Sequence, residues 1–369
     1  MKFLEATYRV TGSNFRERIE SVLLEQTIET PVSVAEQHPF VRENMMGRVE
    51  QVVQDGAESY LATLSLPVLT AFSDPAQLLN VLFGNSSLHA DVMLEDFNLP
   101  QTVTDLLPGP RFGISGLREA AGVHGRPLTC SAIKPVGLRI DEMAEICRAF
   151  GEAGVDLIKD DHYLANQSFA TFHDRVRACQ AVVEDVAERT GRRPIYVPNL
   201  SGTPDVVRRQ AEWAQEAGVR AVMMAPMLLG MPLLHELRMK VLDIPILAHP
   251  SFGGSVRIKT ATLLGKIFRL YGADAVIFAN YGGRFSYPPE VCRDIAGNLR
   301  AEWLGLNKVF PVPAGGMDAD RAEELVHFFG NDTILLVGGS LLEAGPALRD
   351  KSERFVESVH AAAEGNIGV

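Results

Sequence analysis

The chain has 369 residues, 46% of them hydrophobic and 22% charged, which is enough for one large globular domain and a smaller one. A net charge of −11 argues against nucleic acid or an anionic membrane as the main partner. It leaves a phosphorylated small molecule open, because anion sites are local. The first residues turn polar too soon for a secretory signal, no apolar run is long enough to span a bilayer, and four cysteines without a CxxC pattern read as reduced thiols of a cytoplasmic protein.

In chain order, alternation over 3–10 predicts a strand, 14–24 a helix, 48–53 and 58–66 two further strands, and 70–83 a second helix. These make a small α+β domain of ferredoxin-like type over 1–113, ending in a Pro- and Gly-rich linker at 106–113. From residue 114 the pattern changes. Short apolar runs occur at 128–134, 157–161, 195–200, 221–226, 244–249, 275–280, 310–314 and 334–337. Amphipathic helical stretches lie between them, such as 141–153, 169–189, 204–217, 259–271, 319–329 and 346–363. Several end at a glycine suited to a C-cap: Gly154, Gly191, Gly218, Gly272 and Gly330. Eight strand–helix units in about 250 residues predict an α/β fold, a (β/α)8 barrel over 114–369. A doubly wound open sheet is the alternative, but no GxGxxG follows an early strand.

Barrel active sites form where strands end, so the residues there carry the functional reading. The second run ends in Lys159-Asp160-Asp161-His162. Strand alternation sends Lys159 and Asp161 one way and Asp160 the other. One aspartate is too few for a hard divalent cation, and a lysine ammonium repels it, so spacing alone does not make a metal site. Gly315-Gly316 and Gly338-Gly339 follow the seventh and eighth runs, where barrels hold phosphate on backbone N–H groups. Arg284 would add a charged fork to that group. Most lysines are solvated surface groups, but Lys134 closes an apolar run, and a partly desolvated lysine there can take a proton next to a carbonyl. His249 reads either as a proton shuttle or as a satisfied core histidine.

Five motifs in order resemble the large chain of RuBisCO, and within that family the form IV RuBisCO-like proteins. They are Gly-Arg-Pro-Leu…Ile-Lys-Pro-x-Gly-Leu (125–138), Gly-x-Asp-x-x-Lys-Asp-Asp (154–161), Asn-x-x-Gly-Thr (199–203), Pro-Val-x-x-Gly-Gly (311–316) and Val-Gly-Gly (337–339). The resemblance implies that CO2 carbamylates Lys159, turning a cation into an oxygen ligand for Mg²⁺. Asp161 matches the second ligand, and His162 stands where the family usually has glutamate, so Mn²⁺ is an alternative metal. By the same likeness Lys134 handles protons at the enolisable carbon and His249 is a catalytic histidine. Glu25, Thr30 and Asn85 match N-terminal segments that complete the site of a partner subunit, implying a homodimer with shared active sites.

The departures carry information too. Arg284 stands in the sixth-strand loop where the carboxylase has lysine, and the stretch after Lys134-Pro135 lacks a second lysine. Pro250 follows His249 in place of a phosphate-binding arginine, Ile277 replaces a histidine of the same second phosphate site, and Ala314 replaces a serine. Thr30, Gly316, Gly338 and Gly339 keep the first phosphate site. A substrate with one phosphate follows, and carboxylation of ribulose bisphosphate does not. The leading expectation is decarboxylation or carbon–carbon cleavage of a 3-oxo sugar acid phosphate through an enediolate. The alternatives are enolisation or isomerisation of a phosphorylated ketose of the methylthioribulose type, and a non-catalytic regulatory protein.

Overall fold

The computed structural model describes residues 3–72 and 74–365. It contains two compact units, one of residues 3–108 with Phe252–Leu263, the other of Gly109–Ser251 with residues 264–365. The first division falls at Pro108/Gly109, inside the predicted linker.

The first unit is built on an antiparallel sheet in the order β2-β3-β1-β4, formed by β1 (Phe3–Thr11), β2 (Arg48–Gly56), β3 (Ser59–Pro67) and β4 (Val92–Asn98). Helix Phe15–Glu25 follows β1 and helix Pro75–Phe83 precedes β4, giving the βαββαβ order of a ferredoxin-like domain. Alternate residues Ala6, Tyr8 and Val10 of β1 are buried with Ile19, Val22, Leu78 and Leu82 of the helices. The Tyr8 hydroxyl donates to Leu82 O at 2.6 Å.

Several details differ from the sequence reading. The helix expected over 70–83 is two, Val68–Ala71 and Pro75–Phe83. Pro75 cannot sit inside a helix, but it suits the first position after the Asp74 cap, whose carboxylate accepts from Ala76 N and Gln77 N. Strand β4 was not foreseen: a register shift between Thr7 and Tyr8 opposite it breaks the alternation that would reveal it. The helix expected over 259–271 is interrupted, with a π-helical stretch at Leu263–Ile267. Its start belongs to the first unit because Leu94 of β4 exchanges backbone bonds with Arg257 O and Lys259 N.

The second unit is a (β/α)8 barrel of parallel strands β5 (Leu128–Ile133), β6 (Leu157–Asp160), β7 (Ile195–Val197), β8 (Val222–Met224), β9 (Ile246–Ala248), β10 (Ala275–Ala279), β11 (Phe310–Ala314) and β12 (Ile334–Leu336). The ladders run β12-β5-β6-β7 and β8-β9-β10-β11. An Asn199–Met223 bridge joins β7 to β8, and β11 lies beside β12. Leu128, Cys130, Leu157, Ile195, Val197, Met223, Leu247, Ala275, Ile277, Phe310, Val312 and Ile334 fill the interior. These residues alternate along their strands, as inward-facing side chains must. Gly154 and Gly191 end their helices in the left-handed conformation at φ +88° and +71°, which glycine takes without a Cβ penalty. All four cysteines are buried and unpaired, and no helix among the described residues is long and apolar enough to cross a membrane.

Candidate active site

The barrel's alternation places the chemistry. Cys130 and Leu157 face the interior, so Lys134, Lys159 and Asp161 follow on the same face, and Leu247 puts His249 there too. Lys159 is only 3% exposed, and its ammonium donates to Asp160 O at 2.8 Å. Burial lowers its pKa, against the opposing pull of nearby acidic groups. Lys134 is about a third exposed and pairs with buried Asp161, Nζ to Oδ2 at 2.5 Å. Burial pushes the Asp161 carboxyl up, but the Lys134 ammonium and the Tyr163 amide more than offset this, leaving it below the ordinary carboxylate range. The two imidazoles of His162 and His249 stack, centroids 4.3 Å apart and planes 12° from parallel. His162 Nδ1 lies 3.5 Å from Asp161 Oδ1, and His249 Nδ1 pairs with Ser251 Oγ at 2.8 Å. Burial, reinforced by the positive charges around it, holds His249 well below the usual imidazole range, so it is neutral at pH 7.

Asp160 faces away, as alternation requires. Its carboxylate is fully buried and accepts from Arg175 Nε at 3.0 Å, Tyr196 Oη at 2.7 Å and Asn199 N at 3.0 Å. Arg175 Nη1 also donates to Ala165 O and Ala170 O, tying down the loop after β6. Asp160 is thus a structural anchor for the segment that carries Asp161 and His162.

Gly315 and Gly316 follow β11 with φ +90° and +88°. A Cβ on Gly316 would lie 2.8 Å from Arg284 N, and that nitrogen donates to Gly315 O at 2.7 Å. The loop carrying Arg284 therefore rests against Gly316 because it lacks a side chain. Arg284 itself is exposed, its guanidinium over the Phe285 ring. Space is open where Gly338 and Gly339 would carry a Cβ. Ile277 is buried in the barrel core and Pro250 has no N–H, so neither offers a donor for a second phosphate. In the first unit, Asn85 Nδ2 donates to Glu25 Oε1 at 2.8 Å. Thr30 is exposed in a cleft with Glu17, Glu20, Glu25 and Glu29.

A divalent cation would find two donors in the side chains as they stand, the Asp161 carboxylate and the His162 imidazole. Among the described residues no group of three His, Cys, Asp or Glu could hold a metal. The buried Lys159 amine supplies the missing oxygen donor only as a carbamate, and on that condition the set fits a hard cation. The sequence reading gave no role to Asn199, Arg175 or Tyr196. Asn199 ends the apolar run of β7 just as Lys159 ends that of β6, which is the signal that could have found it.

The model of the ribulose bisphosphate carboxylase large chain catalytic domain matches residues 113–345. A ribulose bisphosphate carboxylase-like protein from Rhodopseudomonas palustris is 42% identical, covering 96% of each chain. A protein of Rhodospirillum rubrum named 5-methylthioribulose-1-phosphate isomerase is 40% identical, over 99% of this chain and 98% of its own. A crystal structure of a Rubisco-like protein from R. palustris superposes with a TM-score of 0.90 at 37% identity, covering 98% of both chains.

Proposed function

The chain belongs to the RuBisCO large-chain family, as a RuBisCO-like member of form IV, and from that premise we propose that it isomerises a singly phosphorylated ketose of the 5-methylthioribulose 1-phosphate type. The name of the R. rubrum relative supports proton transfer over the decarboxylation that the sequence first suggested. The observation that carries the reading is the convergence of Lys134, Lys159, Asp161, His162 and His249 at the ends of β5, β6 and β9.

Lys159 as a carbamate, Asp161 and His162 would hold Mg²⁺ or Mn²⁺. When bound, the cation polarises a substrate carbonyl. The chain's own groups do the rest. Lys134, on a flexible stem at the edge of the cluster, moves the proton at the enolisable carbon. His249, neutral and backed by Ser251, accepts or returns a proton at the neighbouring oxygen. Gly315, Gly316, Gly338 and Gly339 take the phosphate on backbone N–H groups, with Arg284 closing over it. Pro250 and Ile277 restrict the substrate to one phosphate. Glu25, Thr30 and Asn85 complete the site of a second copy in a homodimer.

The test is solvent-deuterium uptake into 5-methylthioribulose 1-phosphate, followed by NMR, with native chain and Lys134→Met. Uptake that falls at least about a hundredfold in the variant is expected. CO2 release from a 3-oxo sugar acid phosphate, with no deuterium uptake into 5-methylthioribulose 1-phosphate, would return decarboxylation to the front. Neither activity, with Lys159→Ala indistinguishable from native, would leave a regulatory protein.

A further inference from the structure

Among the described residues, the buried side-chain oxygen of Asn199, like the amide of Asn280 after β10, is a polar group at the strand ends for which the chain supplies no partner. Asn199 lies two residues beyond Val197, a barrel-interior residue, and Val197 is in register with Lys159 of β6. The side chain therefore stands on the inner face beside Asp161. It is 4% exposed. Its Nδ2 donates to His162 O at 3.2 Å and to Leu164 O at 2.8 Å. Both amide protons thus face carbonyl oxygens, and this fixes which end of the amide is oxygen. That oxygen, Oδ1, is buried and has no partner. The backbone is held too, since Asn199 N donates to Asp160 Oδ2 at 3.0 Å, and the two Nδ2 bonds keep the amide in this orientation.

A buried acceptor without a donor is costly, and proteins keep few of them. We infer that Asn199 is a substrate-contacting residue of this site: its nitrogen positions the loop carrying His162, and its oxygen accepts a hydrogen bond from a hydroxyl of the sugar chain. On the substrate that donor is a sugar O–H, because a phosphate monoester dianion and a carboxylate offer none at neutral pH. This inference rests on the sugar-phosphate reading of the site and names the group on the substrate that the third barrel strand reads.

The probes are ribitol 5-phosphate, its monodeoxy analogues and inorganic phosphate, with binding measured by calorimetry on the full chain. Asn199→Ala should weaken ribitol 5-phosphate at least about tenfold and leave inorganic phosphate unchanged. One monodeoxy analogue should lose the same factor with the native chain and nothing further with the variant. Independent, multiplying losses from the variant and from every deoxy analogue would overturn the inference, as would unchanged ribitol 5-phosphate binding. Asn199→Asp keeps an acceptor and gives up the loop contacts, so it should shift the His162 NMR signals yet still discriminate the deoxy analogue. Loss of that discrimination would also overturn the inference. If the native chain does not bind ribitol 5-phosphate at all, the sugar-phosphate reading falls first, and this inference falls with it.

Discussion

Breaking the Asp160–Arg175 pair should damage the barrel far more than its place in a run of ionisable residues suggests. Both side chains are fully buried, with Arg175 Nε 3.0 Å from Asp160 Oδ2. Replacing Arg175 with Met leaves a buried carboxylate with two neutral donors, Tyr196 Oη and Asn199 N. It also strips two carbonyls of the loop after β6, Ala165 O and Ala170 O, of their donor. Removing one partner of a buried pair costs about 3–5 kcal/mol. Asp160→Asn, nearly isosteric, should cost a similar amount by leaving the guanidinium uncompensated. The double variant should cost clearly less than the sum of the two, with a coupling of about 2 kcal/mol or more. Urea unfolding followed by tryptophan fluorescence reads the right unit, because Trp213 and Trp303 both lie in the barrel unit. Single-variant losses under about 1 kcal/mol, or strictly additive ones, would refute the anchoring role.

The contribution of neutral His249 to barrel stability should be lost as pH drops below about 6.5. The folded His249 pKa lies well below the unfolded value, so the unfolded chain binds more protons there and the loss is about 1.4 kcal/mol per pH unit for this group. His249→Gln should flatten that slope, and an NMR titration of His249 at or above pH 6.5 would contradict it. Mg²⁺ binding by calorimetry should require bicarbonate and disappear in Lys159→Ala; equal binding by the variant would exclude the carbamate. Gly316→Ala forces a side chain into φ +88° and against Arg284 N, and should cost about 1–3 kcal/mol and weaken phosphate binding. Unchanged phosphate affinity would separate the paired glycines from the phosphate site.

The repeated strand–helix order was legible in the chain alone, because apolar runs, helical periodicity and C-cap glycines are local signals. So was the set of residues that could reach the barrel interior. Lys134, Lys159, Asp161 and His249 follow inward-facing residues at even spacing, and the two-residue period of a strand decides that without any partner. What those residues do to one another depends on the folded barrel. That Lys134 pairs with Asp161, that His162 stacks on His249 and that Asp160 is spoken for by Arg175 and Tyr196 depends on contacts between segments 15 to 87 residues apart. The same holds for β4, whose strand character lies in its pairing with β1 across more than eighty residues, and for Lys259, whose N–H bonds to β4 although its sequence places it in a barrel helix. Periodicity specifies which face a side chain takes; the partner waiting on that face is set by packing.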